Sequence, residues 1–294
     1  MHPQLTIYNQ SVRSFIHIDF GIEKLDATCA FAEGPVWNAE GFYLFSDIPR
    51  NAIFKIAPGY PKEVYLEHSG FTGSNKSFLS EQIGSNGLAY DSGGALFICQ
   101  HGDGAVAKYA DGTVQPLLTG INNKPFNSPN DLVVHNDGTF YFSDPPYGLK
   151  EAKLNPELRQ EKAAYYAWRD GELTAFSSAY SHPNGICLSP DQKSVFTCSN
   201  KPFERFILEF DAQTLEQKRI VAEENSDGIK CDPWGNLYLC TKEGILILNK
   251  EGERLARMEL DTVPANCCWG GKDGNDLFIT ARENLFLIPG LLKA

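Results

Sequence analysis

Neither a CxxC pair nor any Cys/His ligand spacing occurs in this 294-residue chain, although it contains eight cysteines. That excludes a thiolate-built metal or redox motif, and a disulfide framework is not expected in so long a chain without a secretory signal. Cys267 and Cys268 are adjacent, where a bridge would be strained. Cys99, Cys187, Cys198, Cys231 and Cys240 fall within β-rich runs, where free thiols act as small hydrophobes. All eight are expected to be reduced and structural. No apolar run reaches the length of a membrane span. The opening MHPQLTIYNQSVRSF lacks the basic, apolar, small-residue order of a secretory signal, so a cytoplasmic location without membrane contact is expected. Basic residues are also scarce. Lys and Arg number 26 against 37 Asp and Glu, a net charge of −11 with no basic cluster, which excludes nucleic acid as a partner.

What the chain does contain is a repeat. The stretch NSPNDLVVHNDGTFYFSDPPYGL (127–149) reads as a polar pair, a short apolar strand, an Asn-Asp-Gly turn, a second strand and a polar-Pro loop. Asn-Asp-Gly between two β-rich runs is hairpin chemistry, because these residues tolerate the positive φ of tight turns. The plan recurs at 33–47, 86–102, 184–200, 227–242 and 266–282, and the first polar positions of the six copies (Asn130 in the stretch above) fall 53, 44, 54, 43 and 39 residues apart. A period of that size marks an array, most often a propeller. The expected fold is all-β: a six-bladed β-propeller with four antiparallel strands per blade. One domain spans 1–294, with 1–26 as an N-terminal extension and 27–294 as the blades. The sixth copy has only three strands, ending in NLFLIPG (284–290), so Ala27–Ala32 is expected to supply its outer strand and close the ring. Two insertions, 70–85 and 149–164, are expected on the face that carries chemistry, the second with a helical turn after Pro156.

The first strand of each propeller blade lines the axis, so the residues opening those strands converge at one mouth. Here they are Glu33, Asn86, Asn130, Asn184, Asp227 and Asn266, two carboxylates and four amides. Oxygen-only donors of mixed charge suit a hard cation, Ca²⁺ first and Mg²⁺ or Mn²⁺ next. Asn86-Gly87, Asn184-Gly185 and Asp227-Gly228 also read as turn dipeptides. Glu33, a poor turn residue at the same phase, favours a site. A second polar position follows the first by 14 to 16 residues in every copy: Asp47, His101, Asp144, Asn200, Lys242 and Arg282. These should form an outer collar around the pocket. Asp47 and Asp144, in the near-identical contexts FSDIPRN and FSDPPYG, also suit loop caps.

The runs AEGPVW (32–37), HPNGICLSPD (182–191), SDGIKCDPWGNLY (226–238) and ANCCWGG (265–271) resemble the gluconolactonase and senescence-marker-protein (regucalcin) family. QHGDGAVAKYADG (100–112) and SPNDLVVHNDGTFYFSDPPYGL (128–149) are most similar to its bacterial sugar-lactonase branch. The resemblance implies a six-bladed propeller with one axial divalent cation, often calcium, with zinc and manganese able to serve. By position it implies Glu33, Asn130, Asn184 and Asp227 as metal ligands, a subset of the ring. Where the regucalcin-like branch has an arginine two residues before the asparagine matching Asn130, this chain has Ser128.

The function expected is hydrolysis of a sugar lactone such as gluconolactone, the cation polarising the lactone carbonyl. Asp227 would activate water, with His101 as the second candidate for proton transfer. Asn86, Asn130, Asp144 and Arg282 would contact the substrate. Two alternatives stay open. One is a non-catalytic propeller binding calcium or a sugar acid; the other is an aryl or phosphate esterase on the same metal site.

Overall fold

The computed structural model describes residues 5–25 and 28–293. Its strands fall into six antiparallel sheets, each built from consecutive segments of chain except where the N-terminus joins in. Blade one comprises Ala32–Asn38, Phe42–Asp47, Ala52–Ile56 and Glu63–Glu67. The innermost strands of the later blades are Ser85–Tyr90, Leu132–Val134, Pro183–Leu188, Ile229–Cys231 and Asn266–Gly270. Each of these touches the innermost strand of the next blade, and the sixth touches the first, so the sheets form a closed ring. The fold is a six-bladed β-propeller.

Alternation along each strand drives this arrangement. Phe42, Tyr43, Leu44 and Phe45 of blade one are all buried, because a blade is covered on both faces by its neighbours. At the ring's seam Tyr43 of blade one stacks on Phe278 of blade six, with centroids 4.4 Å apart. Phe97 and Phe140 meet similarly between blades two and three, at 5.2 Å. Aromatic pairs of this kind add to the gain from burial alone.

An N-terminal strand does close the sixth blade, but it is Glu23–Lys24, paired with Phe286 and Leu287, rather than the expected 27–32. Ala27 lies outside the described residues, Thr28 to Phe31 form no strand, and Ala32 already opens the inner strand of blade one. The cause is spacing. The chain must cross from the rim to the axis before Glu33, and Cys29 and Ala32 make that crossing by bonding the carbonyls of Glu283 and Arg282. Leu5–Ile7 adds a fifth strand to blade five, paired with Ala256 to Met258. Val12, Phe15 and Ile16 follow it into the core under blades five and six. All eight cysteines are unpaired. No helix among the described residues is long and apolar enough to cross a membrane.

The two insertions pack against each other over one end of the axis. Leu79 and Leu149 form a bridge, Ser80 N donates to Gly148 O, and Lys150 N to Phe78 O. The second insertion has a 3-10 turn at Lys150–Ala152 and, as expected at Pro156, a further single turn in which the N–H groups of Leu158 and Arg159 donate to the carbonyl of Asn155. Further on, Arg159 is buried and donates to the carbonyls of Gly102 and Phe126. It thereby fixes the backbone beside His101.

Candidate active site

The ring begins with backbone packing. In blades one, two and four the pairing between first and second strands is interrupted by a bulge at Glu33, Ser85–Leu88 and Pro183–Ile186. A bulge re-aims a side chain, and here it turns the ring residue onto the axis. A glycine follows Glu33, Asn86, Asn184 and Asp227, and it serves close approach between blades rather than a turn. Gly34, at φ +53°, has no room for a Cβ, which would lie 1.9 Å from the carbonyl oxygen of Asn86. Gly87 N donates to Asn130 O at 2.6 Å, and a Cβ there would lie 2.7 Å from the same oxygen. The Asn-Gly dipeptides are therefore not hairpin turns.

A cavity of about 300 Å³ opens above the ring. Glu33, Asn86, Asn130, Asn184 and Asp227 reach it from below, and His101 and Asn200 from the collar. The amides form a directed chain. Asn86 Nδ2 donates to Asn130 Oδ1 at 2.7 Å, Asn130 Nδ2 to Asn184 Oδ1 at 2.8 Å, and Asn184 Nδ2 to Asp227 Oδ1 at 2.6 Å. The chain ends on the carboxylate, which only accepts. At its head the buried Oδ1 of Asn86 receives no hydrogen bond. A buried acceptor left without a donor is costly, so this oxygen marks where a ligand donor belongs.

His101 is buried, with Nδ1 3.0 Å from the carbonyl of Gln82. A carbonyl only accepts, so Nδ1 carries the proton, and Nε2 lies between Asn130 Oδ1 at 3.2 Å and Asn86 Nδ2 at 3.3 Å, from which it accepts. Burial pushes the imidazole down to about 4, so it is neutral at pH 7.

Burial raises both ring carboxyls, Glu33 well above the usual range with the nearby Asp227 adding repulsion, and Asp227 to about 6. Neither forms an ion pair among the described residues. No cluster of three or more His, Cys, Asp or Glu suited to a metal occurs among them, so any donor set must mix carboxylates with amides. Two uncompensated carboxylates with amide oxygens between them fit a hard divalent ion.

Several residues escaped the sequence reading. Tyr147, from the loop after the second strand of blade three, lines the cavity, donates its hydroxyl to Asn200 Oδ1 at 2.7 Å and receives Asn184 Nδ2 at 3.4 Å. Ser128 brackets it, donating to Pro145 O and receiving Gly148 N. Tyr165 of blade three receives the backbone N–H of Asn184 at 2.9 Å and donates to the carbonyls of Gly185 and Cys198. Asp131, next to Asn130, places a third carboxylate at the axis. Its Oδ2 is 3.3 Å from Lys230 Nζ and receives Asn266 Nδ2 at 3.4 Å. Only Asp131 had a signal in sequence, the polar pair Asn130-Asp131.

Two expectations need correcting. Asp144 is fully buried and does not reach the cavity. Its carboxylate caps a loop, accepting the backbone N–H groups of Asn127 and Ser128 and the side chain of Asn127. Asp47 does the same for Ala30 and Phe31. Both end a second strand, and the preceding segment folds back over the carboxylate before it can face the axis. Arg282 also misses this cavity. It lies, with Lys242, on a neighbouring one that shares Asn200 and Asp227.

The family model for the SMP-30/Gluconolactonase/LRE-like region matches residues 31–283. A gluconolactonase of Zymomonas mobilis is 29% identical, over 96% of this chain and 85% of its own length. Among solved structures, a gluconolactonase of Xanthomonas campestris superposes with a TM-score of 0.84 at 26% identity, covering 100% of this chain and 95% of that one. A calcium-binding protein, regucalcin, from Agrobacterium tumefaciens shares the fold with a TM-score of 0.73 at 19% identity, covering 94% and 95%.

Proposed function

The chain belongs to the SMP-30/gluconolactonase/LRE-like family and is a lactonase, and we propose that it opens a sugar lactone with the help of one divalent cation, Ca²⁺. The observation that carries this reading is the directed amide chain from Asn86 to Asp227, facing Glu33 across one cavity. Glu33, Asn130, Asn184 and Asp227 would hold the ion, and the calcium-binding relative supports the choice of metal. Bound there, the cation polarises the lactone carbonyl.

The protein's own groups do the rest. The free Oδ1 of Asn86 accepts from a substrate hydroxyl and sets the orientation of the sugar. Asn184 and Asn200 both bond the Asp227 carboxylate and fix its orientation. Water adds to the carbonyl carbon while its proton passes to Asp227. The C–O bond to the ring oxygen then breaks, and that oxygen takes the proton back. The net change is lactone plus water to hydroxy acid. His101, held neutral by burial, keeps Nε2 as an acceptor on the cavity wall and supports proton transfer without adding charge.

The test is a panel of sugar lactones, aryl esters and phosphate esters, assayed with metal-stripped protein after restoring Ca²⁺, Mg²⁺, Mn²⁺ or Zn²⁺. The expected result is lactone opening that returns with the cation. Turnover of the esters without lactone opening would overturn it.

A further inference from the structure

Beside the cavity above the ring lies a second, of about 240 Å³, and the two share Asn200 and Asp227. Its wall carries three basic side chains, Lys201, Lys242 and Arg282, and Asp227 as its one acid. None of the three forms an ion pair or a side-chain hydrogen bond among the described residues. Lys201 instead lies over the ring of Tyr147, its Nζ 5.8 Å from the centroid. In a chain of net charge −11, three unpaired cations on one small wall need an explanation. Arg282 offsets part of the charge of Asp227, which leaves Lys201 and Lys242 with no carboxylate of their own on this wall.

Their positions follow from the repeat. Lys201 comes two residues after the second strand of blade four, while Lys242 and Arg282 directly follow the second strands of blades five and six. The three thus lie on adjacent blades, Lys242 and Arg282 at one phase and Lys201 one residue beyond it. Arg282 takes φ +56° as the first residue of the two-residue hairpin between Asp276–Ala281 and Asn284–Ile288, the value such a tight turn requires.

We propose that this second cavity is a subsite for a negatively charged substituent of the lactone. A carboxylate or a phosphate on the part of the sugar remote from the reacting carbonyl would enter it, with Arg282 and the two lysines as its partners. The inference rests on the lactonase reading and sharpens it: the preferred substrate is the lactone of an anionic sugar acid rather than neutral gluconolactone. Guanidinium and ammonium groups bind such oxyanions through charge-assisted hydrogen bonds. A positive mouth also draws the anion in, an effect that salt screens.

The experiment uses the calcium-loaded full chain, the Lys201→Gln/Lys242→Gln double variant and Arg282→Gln. Values of kcat/KM are compared for glucono-δ-lactone, 6-phosphoglucono-δ-lactone and a glucaric acid lactone at low and high salt. In parallel, calorimetry compares binding of gluconate, 6-phosphogluconate and glucarate. The wild type should favour a charged lactone and its acid by roughly tenfold or more, equivalent to about 1.4 kcal/mol. That preference should shrink in high salt and collapse in the variants, and whichever anion shows it identifies the substituent. Equal handling of charged and neutral forms by the wild type overturns the proposal, as does a preference that survives the substitutions. If no lactone is opened at all, the lactonase reading fails, and the calorimetry still decides the subsite.

Discussion

Asn184 donates its side-chain amide to Asp227 Oδ1 at 2.6 Å, and this contact ties a neutral ring member to the carboxylate proposed to handle the proton. It separates two roles that substitution can test. Asp227→Asn keeps size and an oxygen donor while removing charge and basicity. The expected outcome is a folded protein that binds Ca²⁺ more weakly and loses about 10²-fold or more in turnover at saturating cation. Turnover near the wild-type rate would make Asp227 a ligand only. Asn184→Ala should weaken calcium binding, with activity partly restored by excess cation.

His101 faces the same cavity and is held by the carbonyl of Gln82, another residue of its lining, rather than by a carboxylate of the ring. His101→Ala is therefore expected to lower kcat by roughly 10- to 100-fold while calcium affinity, read by calorimetry, stays nearly constant. A parallel fall in affinity would identify His101 as a ligand.

Tyr147→Phe removes the hydroxyl that donates to Asn200 and accepts from Asn184, while keeping the ring. Losing one partner of a buried polar contact costs about 1 kcal/mol or more, so kcat/KM should fall on the order of tenfold. Calcium affinity should change little. An unchanged kcat/KM would show that Asn200 and Asn184 need no such link.

Gly87→Ala tests the packing that sets the ring. The added Cβ meets the carbonyl oxygen of Asn130 at 2.7 Å and the Cα of Asp131 at 2.7 Å, both backbone atoms with little freedom to move. A cost of roughly 1–3 kcal/mol is expected, seen as a lower melting temperature together with reduced activity. Gly21→Ala, where nothing lies within 4 Å, is the control and should leave both unchanged.

The residues that face the axis were legible because a propeller converts sequence phase into position. Glu33, Asn86, Asn130, Asn184 and Asp227 open successive inner strands and meet at one cavity, as the repeat required. His101 and Asn200 reached the same cavity from the second strand ends by the same periodicity. Phase fixes where a residue stands along a blade, however, and not where its side chain points. Asp144 shares the phase of His101, yet its carboxylate is consumed by backbone N–H groups of the loop before Asn130.

Sequence alone determined the number of blades and named five residues that line the cavity, Glu33, Asn86, Asn130, Asn184 and Asp227; Asn266, expected with them, lines neither cavity and bonds Asp131. The blade number and those five positions depend on local alternation and a recurring interval, which each segment carries within itself. Tertiary structure decided what depends on contacts between distant segments. The crossing at Cys29–Ala32 moved the closing strand to Glu23–Lys24. Contacts of the loop at Tyr147 and Gly148 with Ser80 and Ser128 set Tyr147 at the cavity. Ring closure set Asp131 beside Lys230, 99 residues away in sequence, because inner strands from across the propeller share one axis.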